Sequence, residues 1–161
     1  MNGFRPLNPS IRWMIRREMP DVLANEGAAF GIDAWGEDDF TRCLRQRNCI
    51  GMVAEHGDIL VGHMVYELNL KHINLLNFAV HPAYQRRGVG MCMLAKLVGK
   101  LAPQRRTAIT VLVNETNMPA LKFFRAMQFR ATHSVWDAFP DVGEDGYAME
   151  LRVGERVRIA G

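Results

Sequence analysis

Long hydrophobic runs are missing from this chain. No stretch approaches the ~20 consecutive apolar residues that a membrane-spanning helix needs, so no membrane partner is expected. Cysteine is scarce: Cys43, Cys49 and Cys92 are the three present, an odd number with no Cys-x-x-Cys pair. That pattern argues against a disulfide framework or a zinc ribbon. The three read as reduced, packed thiols, and no metal site is expected. Lysine is also sparse, supplying four of the twenty basic residues. No run of five basic residues exists, which excludes a basic nucleic-acid-binding tail and leaves nucleic acid outside the expected partners. Repeats, low-complexity tracts and linkers are absent, so residues 1–161 read as one domain. The opening residues, Met1-Asn2-Gly3-Phe4-Arg5-Pro6, have no apolar signal-peptide core, and a cytoplasmic location is expected.

What is present is the material of a globular α/β protein. Hydrophobic residues make up 48% and charged residues 23%, enough for a core and a solvated surface. The net charge of +3 rests mainly on arginine, which suits bidentate contacts to phosphate or carboxylate. Ile11–Arg16 reads as a short strand. Pro20 then opens a helix over Asp21–Ala29, and Gly31 ends it. The acidic run Glu37-Asp38-Asp39 suits the N-terminus of a second helix, reaching about Arg47. Cys49–Glu55 and Ile59–Leu70 form a hairpin about His56-Gly57-Asp58, and a third strand follows over Ile73–His81. Val89, Met93, Leu94, Leu97, Val98 and Leu101 then recur at helical spacing. Thr107–Val113 is a β-branched strand and Met118–Met127 a helix. Phe129–Trp136 and Tyr147–Val153 are the last two strands, joined by an acidic loop over Asp137–Gly146. The order β-α-α-β-β-β-α-β-α-β-β predicts a mixed sheet of about seven strands with helices on its faces.

The sharpest local signal is Gln85-Arg86-Arg87-Gly88-Val89-Gly90, between a strand and a helix. The first turn of a helix has unpaired backbone N–H groups and a partial positive charge, so it attracts anions. Gly88 and Gly90 let a phosphate approach the main chain, and Arg86 and Arg87 add charged donors. Lys122, on the later helix, is placed to reach a further phosphate. The pattern is neither a Walker loop nor the dinucleotide Gly-x-Gly-x-x-Gly, because Met91, Cys92 and Met93 follow the second glycine.

The block Asn77-Phe78-Ala79-Val80-His81-Pro82-Ala83-Tyr84-Gln85-Arg86-Arg87-Gly88-Val89-Gly90 resembles motif A of the GNAT superfamily of N-acetyltransferases. Among its branches it is most similar to the ribosomal-protein-alanine N-acetyltransferases. Asn117-Met118-Pro119-Ala120-Leu121-Lys122-Phe123-Phe124-Arg125-Ala126-Met127-Gln128-Phe129 resembles motif B, and the resemblance covers about residues 48–153. It implies a V-shaped cleft in the sheet that holds acetyl-CoA as acyl donor. It further implies that Phe78, Ala79 and Val80 pair with the pantetheine arm. Arg86, Arg87, Gly88, Val89, Gly90 and Met91 would bind the pyrophosphate, and Asn117 would hydrogen-bond near the thiol end. The implied reaction is acetyl transfer to a primary amine, a protein N-terminus or a small cationic amine, by a monomer or homodimer.

The sequence departs from that family where the proton chemistry lies. The resemblance expects a glutamate base on the strand before motif B and a tyrosine acid in the motif B helix. An ungapped match places Leu112 and Phe124 there, and neither transfers a proton. Glu67 and Tyr147 are the candidate replacements; His63 and His133 have suitable ordinary pKa values. An acyl-CoA-binding module without turnover remains an alternative on these residues. Trp136, Asp137 and Phe139, with Asp141, Glu144 and Asp145 nearby, are the candidate acceptor-binding residues, because aromatic walls and carboxylates suit a cationic amine.

Overall fold

The computed structural model describes residues 5–101 and 105–153. Its strands are β1 (Ser10–Trp13), β2 (Cys49–His56), β3 (Ile59–Leu68), β4 (His72–Val80), β5 (Ala108–Asn114), β6 (Arg130–Phe139) and β7 (Glu144–Arg152). Its α-helices are α1 (Met19–Phe30), α2 (Glu37–Leu44), α3 (Val89–Val98) and α4 (Met118–Ala126). The seven strands form one mixed sheet in the order β1-β2-β3-β4-β5-β7-β6. The expected class and element order are therefore observed. The chain divides into two compact units, and β4 is shared between them: Leu76–Val80 belong to the first and His72–Leu75 to the second.

In the first unit, β1, β2 and β3 pair antiparallel, with Trp13 opposite Met52 and Met52 opposite Met64. β1 is shorter than the expected Ile11–Arg16 because Glu18 bends the chain. Its carboxylate accepts from the Ile15 N–H at 3.1 Å and pairs with Arg12, and Arg16–Glu18 becomes a 3-10 turn. α1 carries Pro20 in its first turn and stops at Gly31, whose φ of 58° is a left-handed value that glycine adopts freely. At the start of α2 the Gly36 N–H donates to the Asp39 carboxylate at 2.9 Å, and the helix ends at Leu44 rather than Arg47.

Alternation along the strands decides which helix each face receives. Val22 of α1, Phe40 of α2, Val53 and Val65 form one buried cluster. The opposite face of β3 receives α3. A Cβ at Gly62 would lie 2.9 Å from Met93 Sδ and 3.4 Å from Val89 Cγ1, so the missing side chain sets how closely α3 approaches. Helices thus cover both faces of these strands. Tyr66 is buried on the same face as Gly62 and donates to Met52 Sδ at 3.7 Å; burial pushes its phenol up to about 12.

In the second unit, β4 and β5 pair in parallel over four residue pairs, from His72–Ala108 to Leu75–Val111. β5 and β7 pair antiparallel from Ala108–Arg152 to Asn114–Gly146. α4 supplies Phe124, whose ring meets those of Phe123 and Phe129 edge-on at 5.2 and 5.1 Å. The acidic segment expected as a loop over Asp137–Gly146 is largely strand: β6 reaches Phe139 and β7 begins at Glu144. A register shift between Val135 and Phe139, with Asp137 at φ 51°, absorbs the irregularity that its sequence suggests. The tight turn is confined to residues 140–143, with Gly143 at φ 65°.

Candidate active site

The strand–turn–helix is built within the first unit. Pro82 ends β4 and begins a 3-10 turn over Pro82–Tyr84, which His81 caps by accepting the Ala83 N–H on Nδ1 at 3.1 Å. Gln85 Nε2 donates back to the Val80 carbonyl at 3.2 Å and fastens the turn to the strand. Arg86 and Gly88 then take left-handed values, φ 61° and 83°. Gly88 is the N-cap of α3, and it brings no side-chain cap. The Cys92 N–H reaches the Gly88 carbonyl at 3.0 Å. The N–H groups of Val89, Gly90 and Met91 precede that first helical bond and have no intrahelical acceptor. This first turn therefore fits a pyrophosphate: several main-chain donors, a partial positive charge and no competing cap.

The two arginines of the motif are placed differently. Arg86 is exposed. Arg87 is half-buried; its Nε donates to the Arg5 carbonyl at 3.0 Å and its own carbonyl accepts the Leu7 N–H at 2.8 Å. The segment before β1 thereby ties down the turn, a contact across eighty residues of sequence that no local pattern signals.

Beside the strand residues Phe78, Ala79 and Val80 lies a polar cluster that sequence reasoning missed. Glu26 of α1 is 1% exposed and His63 of β3 is fully buried. Asn77 Nδ2 donates to both Glu26 oxygens at 3.1 Å. His63 Nε2 lies 3.0 Å from Glu26 Oε1, and the Trp35 N–H donates to Oε2 at 2.8 Å. Asn25 Nδ2 meets His63 Nδ1 at 2.8 Å. One carboxylate so joins α1, the entry to α2, β3 and β4 at the residue preceding the expected pantetheine strand. His63 is fully engaged in that cluster. The helical sequence around Glu26 gives no sign of it, because its partners arrive from two distant strands.

Glu67 lies in the same unit, half-buried and opposite Cys49 in the β2–β3 ladder. Burial pushes the Cys43 and Cys49 thiols up, and the Glu67 charge adds to both shifts. Both are free thiols, as is Cys92.

In the second unit, Asn117 caps α4 by accepting the Ala120 N–H at 3.2 Å. Lys122 and Tyr147 line a cavity of about 680 Å³ between α4 and β7, with Met118, Leu121, Arg125 and Met149. Tyr147 pairs with Val113 and Ser134 and is 37% exposed. Leu112 is 42% exposed, whereas Phe124 is buried at 4%. Trp136 is largely exposed, the Asp137 N–H donates to Asp145 Oδ1 at 2.7 Å, and Phe139 packs over Gly146. His133 is exposed on β6 and engages the Thr132 hydroxyl. No group of three or more metal-ligating side chains forms among the described residues, nor is any helix there long and apolar enough to cross a membrane.

An uncapped, glycine-led helix start after a strand is a main-chain site for a phosphate-bearing ligand. Residues 10–129 match the model of the acetyltransferase (GNAT) family, and the chain belongs to that family. Its class is that of acyl-CoA-dependent N-acetyltransferases, with acetyl-CoA as the donor. The chain is 24% identical over 121 residues to the [ribosomal protein bS18]-alanine N-acetyltransferase of Escherichia coli strain K12, spanning 74% of this chain and 81% of that protein. The fold is similar to the crystal structure of the ribosomal-protein-S18-alanine N-acetyltransferase from Escherichia coli, with a TM-score of 0.80 at 20% identity over 91% of this chain and 94% of that one. It is also similar to Arabidopsis thaliana Naa50 in complex with the bisubstrate analogue CoA-Ac-MVNAL, with a TM-score of 0.76 at 16% identity over 91% and 100% of the two chains.

Proposed function

We propose that this protein transfers the acetyl group of acetyl-CoA to a primary amine, the N-terminus of a protein or a small cationic amine. The observation that carries the reading is the Gly88-led start of α3, with main-chain donors free of any side-chain cap. In this reading Arg86, Arg87, Gly88, Val89, Gly90 and Met91 bind the pyrophosphate, and Phe78, Ala79 and Val80 hold the pantetheine arm. Asn117 and Lys122 add polar contacts to the donor. Trp136, Asp137 and Phe139 border the acceptor, where carboxylates favour a cation. Tyr147 supplies a phenol for the departing thiolate; Glu67 remains the sequence's own candidate for the base.

The similarity to a ribosomal-protein-alanine N-acetyltransferase and to a peptide-acetylating fold favours a peptide N-terminus as the acceptor. The test is thiol release from acetyl-CoA with a panel of peptides that differ at the first residue, set beside a panel of small amines. Release with an alanine-led peptide, and acetyl recovered on its α-amine, is the expected result. Tight CoA binding with no release for any amine would overturn the reading.

A further inference from the structure

We propose that Glu144 is the proton acceptor for the incoming amine, in the role that Leu112 cannot fill; this rests on the acetyltransferase reading above. Strand alternation in the second unit assigns side chains to faces. Along β5, Val111 and Val113 are buried, so Thr110, Leu112 and Asn114 point to the other face. Leu112 pairs with Ala148 and Asn114 with Gly146. Directly opposed residues share a face, which puts Glu144, Gly146 and Ala148 on the Leu112 side of the sheet. Glu144 begins β7 and is paired with Phe139.

Packing keeps this face compact. A Cβ at Gly146 would lie 3.0 Å from Leu112 Cδ1, 3.1 Å from Phe139 Cε2 and 3.1 Å from the Val113 carbonyl. Leu112 and Phe139 therefore close over a bare main chain. Beyond them Glu144 is held by one oxygen. Oε2 accepts from Asn114 Nδ2 and from the Thr116 hydroxyl at 3.1 Å. Asn114 is fixed in turn, since its Oδ1 accepts the Thr116 N–H at 2.8 Å and shares the same hydroxyl at 2.9 Å. Glu144 Oε1 has no partner among the described residues. Asn114 and Leu112 lie two residues apart on one strand, about 6.6 Å at ~3.3 Å per residue. A carboxylate anchored at Asn114 is thus offset by one pleat repeat from the position where the family expects its base.

The surrounding charges suit a cationic acceptor. Residues 114–117 and 136–147 contain no Lys, Arg or His, while Glu115, Asp137, Asp141 and Asp145 add negative charge. Two of these carboxylates are engaged in holding the hairpin: Asp145 Oδ1 accepts the Asp137 N–H at 2.7 Å, and Glu115 Oε1 faces the Asp145 N–H at 3.4 Å. Oε1 of Glu144 differs in being anchored through its sister oxygen and open itself. An ammonium passes one proton to Oε1. Its nitrogen lone pair attacks the thioester carbon, the C–N bond forms and the C–S bond breaks. The second nitrogen proton goes to the thiolate, and the proton on Glu144 returns to solvent.

The experiment is the pH profile of thiol release with a peptide acceptor for the unaltered chain, Glu144→Gln, Glu144→Asp and Glu67→Gln, each with its thermal unfolding recorded. Glu144→Gln is expected to lose about 10-fold in kcat/KM at pH 7, where only about a tenth of an α-amine with an ordinary pKa of about 8 is already neutral. The deficit should close as pH rises past the acceptor's own pKa of about 8, because the amine then deprotonates without help. Glu144→Asp should retain the profile in part. A loss that is the same at every pH would mark a structural role and overturn the proposal. So would equal rates for Glu144→Gln and the unaltered chain, or a pH-dependent loss in Glu67→Gln alone. No release by the unaltered chain would overturn the transferase reading, and this role with it.

Discussion

Gly88→Ala separates the two tasks of the turn. Gly88 sits at φ 83°, where an L-residue costs about 1–2 kcal/mol. Among the described residues the new Cβ would meet nothing closer than the Leu7 carbonyl at 4.0 Å, so no clash there adds to that cost. For a chain of this size, a loss of ~1 kcal/mol lowers the melting temperature by about 2–4 °C. Binding should suffer more. The methyl would stand beside the first-turn N–H groups and hold a phosphate away from them. A hydrogen bond to a charged group contributes about 1.5–3 kcal/mol. Losing one such bond corresponds to about 10- to 100-fold in affinity at ~1.4 kcal/mol per decade. The assay compares KM for acetyl-CoA with KM for acetyl-pantetheine, which lacks the pyrophosphate. The ratio of the two should collapse in Gly88→Ala while KM for acetyl-pantetheine stays near that of the unaltered chain. Equal weakening for both donors, or no weakening for either, would refute the assignment of the turn to pyrophosphate.

Three further outcomes follow from packing and burial. Glu26→Ala should cost about 3–5 kcal/mol in denaturant unfolding, because His63, Asn77 and the Trp35 N–H lose a shared buried partner; an unchanged midpoint would show the cluster to be expendable. Gly146→Ala should cost about 1–3 kcal/mol through overpacking, and Leu112→Ala in the same chain should recover part of it; additive losses would rule out the contact. Tyr66 is held protonated by burial to about pH 12, above its ordinary value of 10. The unfolded chain loses that proton first, so Tyr66's contribution to stability is complete below pH 10 and is lost as pH rises towards 12. Tyr66→Phe should flatten that alkaline fall in a pH series of unfolding midpoints; the same slope in both proteins would point to another group.

Local signals were legible where one short stretch supplies both cause and effect. Pro82 stopping β4, Gly31 ending α1 and the Gly88-led α3 are steric and dipolar properties of neighbouring residues, and the sequence displays them directly. The strand and helix order followed from periodicity for the same reason. Errors fell where a distant group decides. Glu18, bound to Arg12 and the Ile15 N–H, ends β1 early. The segment 137–146, polar enough for a loop, is drawn into strand by its pairing with residues 130–139 and by the Asp145 carboxylate that holds the Asp137 N–H.

The sequence by itself determined the order of elements, the glycine-led turn before α3 and the family, because these depend on spacing and on residues adjacent in the chain. By the resemblance, Leu112 and Phe124 stand where a base and an acid are expected. Tertiary structure alone decided which carboxylates are engaged and which are open. Glu26 looked like an ordinary helix residue until His63 and Asn77 were brought against it from two strands. Glu144 looked like part of an acidic loop until the β5–β7 register set it on the Leu112 face, one oxygen bound to Asn114. A side chain's partners are set by which strands and helices meet, and that information is spread over the whole fold.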